Sequence, residues 1–264
     1  MGRSGVTEIA EPTADGTLSK DFVSPENIIL LSTVGSGAHG LALAGTDDRD
    51  EMGIVLEPPQ YVIGLDHFEQ KITRTKPEGV RSEHGDLDQV IYSARKFCRL
   101  ALSGNPSILV LLFAPKTTWQ KAGEELCTNA HWFACRKAGN AFLGYATQQR
   151  QRLTGERGQK NVKRPELVEK YGYDTKYAMH MVRLTLQGRE FLQTGRLTLP
   201  MKKDERDFLM SIRTGKVDIN DLLTLAGELE CEVADLIETS PLPEQPDREA
   251  VNQWLINTYT EHWG

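Results

Sequence analysis

A chain of 264 residues, 39% hydrophobic and 26% charged, is long enough to bury one large core or two smaller ones without covalent staples. A formal net charge of -6 at pH 7 excludes a surface that binds nucleic acid by bulk positive charge, so contact with an anionic polymer must come from local basic patches. The 4 cysteines (Cys98, Cys127, Cys135, Cys231) are scattered with no CxxC pair, and no apolar run or leader reads as a membrane span or signal peptide; the expectation is a cytoplasmic protein with reduced thiols, no zinc and no membrane partner.

Residues 1–24 are polar and rich in Gly, Ser and Thr, and read as a flexible lead-in. The apolar run Ile28–Leu31 predicts a strand that enters a small-residue turn, Gly35-Ser36-Gly37, followed by a short helix. Next come the carboxylates Asp47, Asp48, Asp50 and Glu51, and then a second strand over Met52–Leu56. Residues two apart on a strand point the same way, so Asp48 and Asp50 would share a face. Two adjacent carboxylates repel unless a cation sits between them, and hard oxygen ligands suit magnesium or manganese. A Gly-Ser turn offers backbone N–H groups and a hydroxyl to a phosphate. Together the turn and the acids predict a site for a metal–nucleoside triphosphate.

Pro58-Pro59 breaks regular structure, Phe68–Ile72 predicts a strand, and Arg74–Glu83 reads as a loop that either leans over a triphosphate or is a solvated hairpin tip. Asp86 and Asp88 lie two apart in a short acidic strand. An amphipathic helix with Ser93 as its N-cap follows, ended by Gly104 and Pro106. Its Arg95 and Lys96 either contact phosphate or form a solvated face. Beyond Pro115-Lys116-Thr117 the pattern becomes mainly helical. Gly155–Pro165, with Lys160, Lys163 and Arg164, is the best local candidate for an anionic polymer. In and just beyond Tyr171–Leu184, Lys176, His180, Arg183 and Gln187 recur at spacings of four, three and four, which puts them on one helix face that suits a polyphosphate. Arg213, before a glycine turn, is a weaker phosphate candidate. An acidic helix over Asp218–Ile237 and a final helix over Ala250–Trp263 read as packing elements.

The run GSGAHGLALAGTDDRDEMGI resembles the nucleotidyltransferase superfamily that includes DNA polymerase beta, whose signature is a strand ending in Gly-Ser and then Asp-x-Asp on the next strand. Arg49 stands where that pattern usually has an apolar or aromatic residue. With Ala94–Phe97, Gly104-Asn105-Pro106, Leu109–Pro115 and GYDTKYAMHMVRL, the chain is similar to the bacterial and phage branch associated with RNA repair. The resemblance implies an α+β fold: a polymerase beta-like palm domain with a mixed sheet over 25–116 and a mainly helical domain over 117–264 that completes a nucleotide and acceptor cleft. It implies Asp48, Asp50 and Asp88 as catalytic ligands of two Mg2+ (or Mn2+) ions, and favours Asp88 over Asp86. Gly35, Ser36, Gly37, His39, Lys176, His180 and Arg183 would bind the nucleotide, and Arg95, Lys160, Lys163, Arg164 and Arg213 would weakly contact the acceptor. The implied reaction moves a nucleotide from an NTP such as ATP to a hydroxyl, most simply an RNA end. A protein or small-molecule acceptor, and an inactive nucleotide- or RNA-binding relative, are the competing readings.

Overall fold

The computed structural model describes residues 7–10, 22–43, 45, 47–77, 85–156 and 164–264. In chain order the elements are β1 (Thr7–Ala10), β2 (Ile28–Thr33), α1 (Gly35–His39), β3 (Arg49–Val55), α2 (Pro59–Val62), β4 (Gln70–Arg74), β5 (Leu87–Ser93), α3 (Ala94–Leu102), α4 (Pro106–Phe113) and β6 (Lys116–Trp119). They continue with α5 (Lys121–Thr128), a 3-10 turn at Ala130–Phe133, α6 (Lys137–Leu153), α7 (Pro165–Tyr171), α8 (Thr175–Thr194), α9 (Lys203–Arg213), α10 (Ile219–Thr239) and α11 (Arg248–Trp263). The class is α+β. No single helix among the described residues is long and apolar enough to cross a membrane.

Two compact units divide the chain, neither of them contiguous. The first comprises residues 1–102, 108–132 and 247–264; the second comprises 103–107 and 133–246. The sequence reading divided the chain once, at 116/117.

The first unit is built on a six-stranded mixed sheet in the order β1-β4-β5-β3-β2-β6. β3 and β5 pair in parallel, and the other neighbours are antiparallel. Glu51–Leu56 is buried without a break, as expected of a central strand covered on both faces. Ile29, Leu30, Ile54, Ile91, Phe97, Leu109 and Leu111 are all fully buried, at about 1.5–3 kcal/mol for each such side chain. Two expectations are corrected here. Thr7–Ala10, inside the 1–24 segment read as flexible, forms β1, because β4 offers an open ladder of backbone donors and acceptors. Lys116–Trp119, read as the start of the helical part, adds β6 to the edge of β2.

The last helix, α11, is tied back to this unit. The buried Glu57 carboxylate accepts from the Tyr259 hydroxyl and from the Ala94 backbone N–H at 3.2 Å, and Trp263 Nε1 donates to the Glu57 carbonyl at 2.9 Å. Glu57 thereby satisfies an orphan N–H at the start of α3. Ser93 satisfies another, accepting from Lys96 N at 3.0 Å.

The second unit is helical. α8 runs through its middle, packing on α6, α9 and α10. Phe142 of α6 and Phe191 of α8 meet with ring centroids 5.7 Å apart. Asp174 caps α8, accepting from the backbone N–H of Lys176 and Tyr177.

Candidate active site

Sheet register brings the acids together. Asp50 is the second residue of β3 and Asp88 the second of β5; in the parallel ladder they are direct partners. Across the antiparallel ladder Asp88 is the direct partner of Arg74, the last residue of β4. Directly opposed residues share a face, so Arg74, Asp88 and Asp50 form a row across three strands. Asp48, just before β3, joins them: one carboxylate oxygen from each of Asp48, Asp50 and Asp88 lies within 4.8 Å of the other two. All three residues are partly exposed and open to solvent. Arg74 Nε contacts Asp88 Oδ1 at 3.0 Å.

The neighbouring acids take other partners. Glu51 points away from the cluster and is held by Arg49 Nε at 3.1 Å and Gln89 Nε2 at 2.8 Å. Asp47 accepts from Ser36 Oγ at 3.1 Å and Leu43 N at 2.9 Å, which fixes the loop after α1. Asp86 pairs with Lys76 Nζ at 3.5 Å. Of Asp86, which precedes β5, and Asp88, which lies within it, Asp88 is the one in the cluster.

Gly35 fits against the cluster rather than forming a turn ahead of a helix. It opens α1 itself, with φ at +59°. A Cβ there would lie 1.9 Å from Asp50 Oδ2, so the Asp50 carboxylate occupies the space that any other residue would fill. Val34 N donates to the Asp50 carbonyl at 2.9 Å and locks the two segments together.

The other candidates fall in several places. His39 is buried, with Nδ1 against the Gly35 carbonyl, so it braces α1 instead of offering its ring to solvent. Arg95 lies in α3 beyond the far end of β5, which is roughly 16 Å along the strand from Asp88 at about 3.3 Å per residue, and its Nη1 donates to the Val62 carbonyl at 3.0 Å. That position removes it from the acid cluster. Lys96 beside it is engaged by Glu69 and Gln70.

In the second unit, Lys176, His180 and Arg183 are the partly exposed residues between Thr175 and Gly188, with the Arg183 guanidinium lying the deepest, so the predicted stripe exists on α8. Gln187, its expected fourth member, is buried. Arg183 Nη2 lies 3.2 Å from His180 Nδ1; a guanidinium can only donate, so Nδ1 accepts and the ring proton sits on Nε2. Burial lowers the Arg183 guanidinium from its ordinary 12.5 to about 10, which still leaves it charged at neutral pH. Arg164 binds both oxygens of the Asp174 cap, at 2.9 and 3.2 Å, and stacks over Tyr177 at 5.0 Å. Arg213 is buried at the end of α9. Lys160 and Lys163 lie outside the described residues.

Arg74 is the site residue that the sequence placed in a loop. The signal that finds it is strand alternation: Ile72 and Arg74 point the same way, and Arg74 meets Asp88 only once β4 and β5 are paired.

Three carboxylate oxygens converging at a solvent-accessible strand end are a hard, anionic donor set, which fits Mg2+ or Mn2+ and not a soft metal. Among solved structures the chain is similar to a nucleotidyltransferase-like protein from Exiguobacterium sibiricum 255-15, at 9% identity over 90% of this chain and 75% of that one, with a TM-score of 0.30. No curated protein matches it. Residues 13–257 match the RlaP family, described as the RNA repair pathway DNA polymerase beta family. The chain belongs to that family and is a nucleotidyltransferase of the polymerase beta type.

Proposed function

We propose that the protein transfers a nucleotidyl group from a nucleoside triphosphate to a hydroxyl at an RNA end. The observation that carries this reading is the convergence of Asp48, Asp50 and Asp88 within 4.8 Å, in a chain whose family is described by RNA repair.

The acceptor oxygen forms a bond to the alpha-phosphorus, the bond from that phosphorus to the alpha–beta bridging oxygen breaks, and pyrophosphate leaves. Divalent ions held by Asp48, Asp50 and Asp88 would supply charge stabilisation for the attacking and leaving oxygens. Asp88 is the proposed acceptor of the hydroxyl proton, since it lies on the neighbouring strand with its carboxylate at the cluster. Asp50, seated against Gly35 and tethered through its carbonyl to Val34, is the rigid member. Gly35, Ser36 and Gly37 are the proposed phosphate contacts beside it. His39 acts by bracing them. In the helical unit, Lys176, His180 and Arg183 are proposed to bind phosphate: Lys as a point charge, Arg as a fork, and His through its Nε2–H.

The test is incorporation of each labelled triphosphate with Mg2+ into tRNA and other RNA ends, alongside protein and small-molecule acceptors. Incorporation into RNA that is lost in Asp48→Ala/Asp50→Ala, with an unchanged circular dichroism spectrum, is the expected result. Labelling of a protein or small molecule instead of RNA would reassign the acceptor. Full activity in the double variant would remove the proposed site.

A further inference from the structure

We propose that Arg74 is the resident counter-ion of Asp88, and that it holds down the affinity of the acid cluster for a bare cation until a triphosphate brings further negative charge. The inference rests on the reading of Asp48, Asp50 and Asp88 as metal ligands.

Asp88 has two direct cross-strand partners, one of each sign: Asp50 on β3 and Arg74 on β4. A like charge directly opposite destabilises a sheet, and an opposite charge on the other side offsets it. Nε, the guanidinium nitrogen nearest the backbone, lies 3.0 Å from Asp88 Oδ1. Arg74 is therefore placed by strand register rather than by a long mobile side chain. With side-chain exposures of 28% and 32%, the pair is only partly screened by solvent. The adjacent pair on the same two segments, Lys76 with Asp86 at 3.5 Å, is looser, and its acid is not part of the cluster.

Charge counting gives the consequence. Three carboxylates and one guanidinium leave a formal charge of minus two, which a single divalent ion neutralises. A second ion then finds no unbalanced ligand charge among these four groups and must arrive with its own, which the triphosphate carries. Removing the guanidinium adds one unit of attraction for a divalent ion about 5 Å away, which at a water-like dielectric is on the order of tenfold in affinity.

The experiment is titration of Mn2+ alone into the nucleotide-free protein, with free Mn2+ followed by electron paramagnetic resonance. Arg74→Gln and Arg74→Met should bind Mn2+ about tenfold more tightly, and Arg74→Lys should stay within about twofold of the unaltered protein. Unchanged or weaker Mn2+ binding in whichever neutral variant keeps the native circular dichroism spectrum overturns the role of Arg74. A merely structural arginine gives that result. Asp50→Asn separates the two layers. If the unaltered protein binds no Mn2+, or Asp50→Asn binds it equally well, the metal reading fails and takes the Arg74 role with it. If Asp50→Asn weakens binding while the neutral Arg74 variants leave it unmoved, only Arg74 is reassigned.

Discussion

Gly35→Ala separates the backbone demand of α1 from the positioning of Asp50. An alanine at φ +59° pays left-handed strain of about 1–2 kcal/mol. Its Cβ would also sit 1.9 Å from Asp50 Oδ2, 2.7 Å from Cγ and 2.9 Å from Cβ. Restoring ordinary carbon contact at about 3.5 Å requires the carboxylate to move by roughly 1.5 Å. The Val34 N–H to Asp50 carbonyl bond holds the backbone, so the displacement falls on the side chain. A misplacement of about 1 Å in a catalytic group costs on the order of 100-fold in rate. Gly172→Ala is the matched control: φ is +82°, and no heavy atom lies within 4 Å of the added Cβ. Urea unfolding should show both variants losing about 1–2 kcal/mol. Single-turnover incorporation should fall on the order of 100-fold in Gly35→Ala alone. An unimpaired rate in Gly35→Ala, or an equal loss in both, refutes the argument that Asp50 is held against a missing side chain.

Two further substitutions probe the scaffold. Burial pushes the Glu57 carboxyl above its ordinary 4.5, with the bonds from Tyr259 and Ala94 opposing the shift; its folded pKa exceeds the unfolded one, so its contribution to stability is complete below about pH 4.5 and is lost as pH rises through the folded value. Glu57→Gln should therefore gain stability relative to the unaltered protein on going from pH 4 to pH 7 in urea titrations, and a pH-independent difference counts against it. Arg164→Ala should lose about 1–3 kcal/mol in thermal or urea unfolding, because it strips a partner from the buried Asp174 carboxylate at the start of α8; normal stability with weakened RNA binding would instead mark Arg164 as an acceptor contact.

What the sequence disclosed was whatever local spacing controls. Asp48 and Asp50 sit two apart at the head of an apolar run, and a strand period of two is enough to predict a shared face. Lys176, His180 and Arg183 follow the helical repeat, and their burial pattern matches it. Long-range pairing set the rest. The Arg74–Asp88 contact depends on which strand lies beside β5, and Arg74 read alone is one basic residue before a polar loop. Gln187 continues the α8 stripe by angle, yet it is buried by neighbours that periodicity does not reveal. The Tyr259–Glu57 bond joins residues 202 apart, and with it α11 returns to the first unit after the helical unit has intervened. Periodicity assigned that helix a packing role, but it carries no information about distant partners.

The same ladder that specifies the core also specifies the cluster. A one-residue slip of β3 against β5 would turn Asp50 away and bring Arg49 or Glu51 round, since successive side chains alternate faces. Such a slip would also misfit every side chain of the buried Glu51–Leu56 run against its neighbours on both faces, so packing at one end of the strand fixes the acids at the other. The acids occupy the second positions of β3 and β5, where solvent reaches them and mutual repulsion is partly screened. Moved a few residues inward, the same carboxylates would meet full desolvation. Placing them at the rim lets one sheet provide both rigidity and a concentration of negative charge, with Arg74 at the edge of the row to limit its cost.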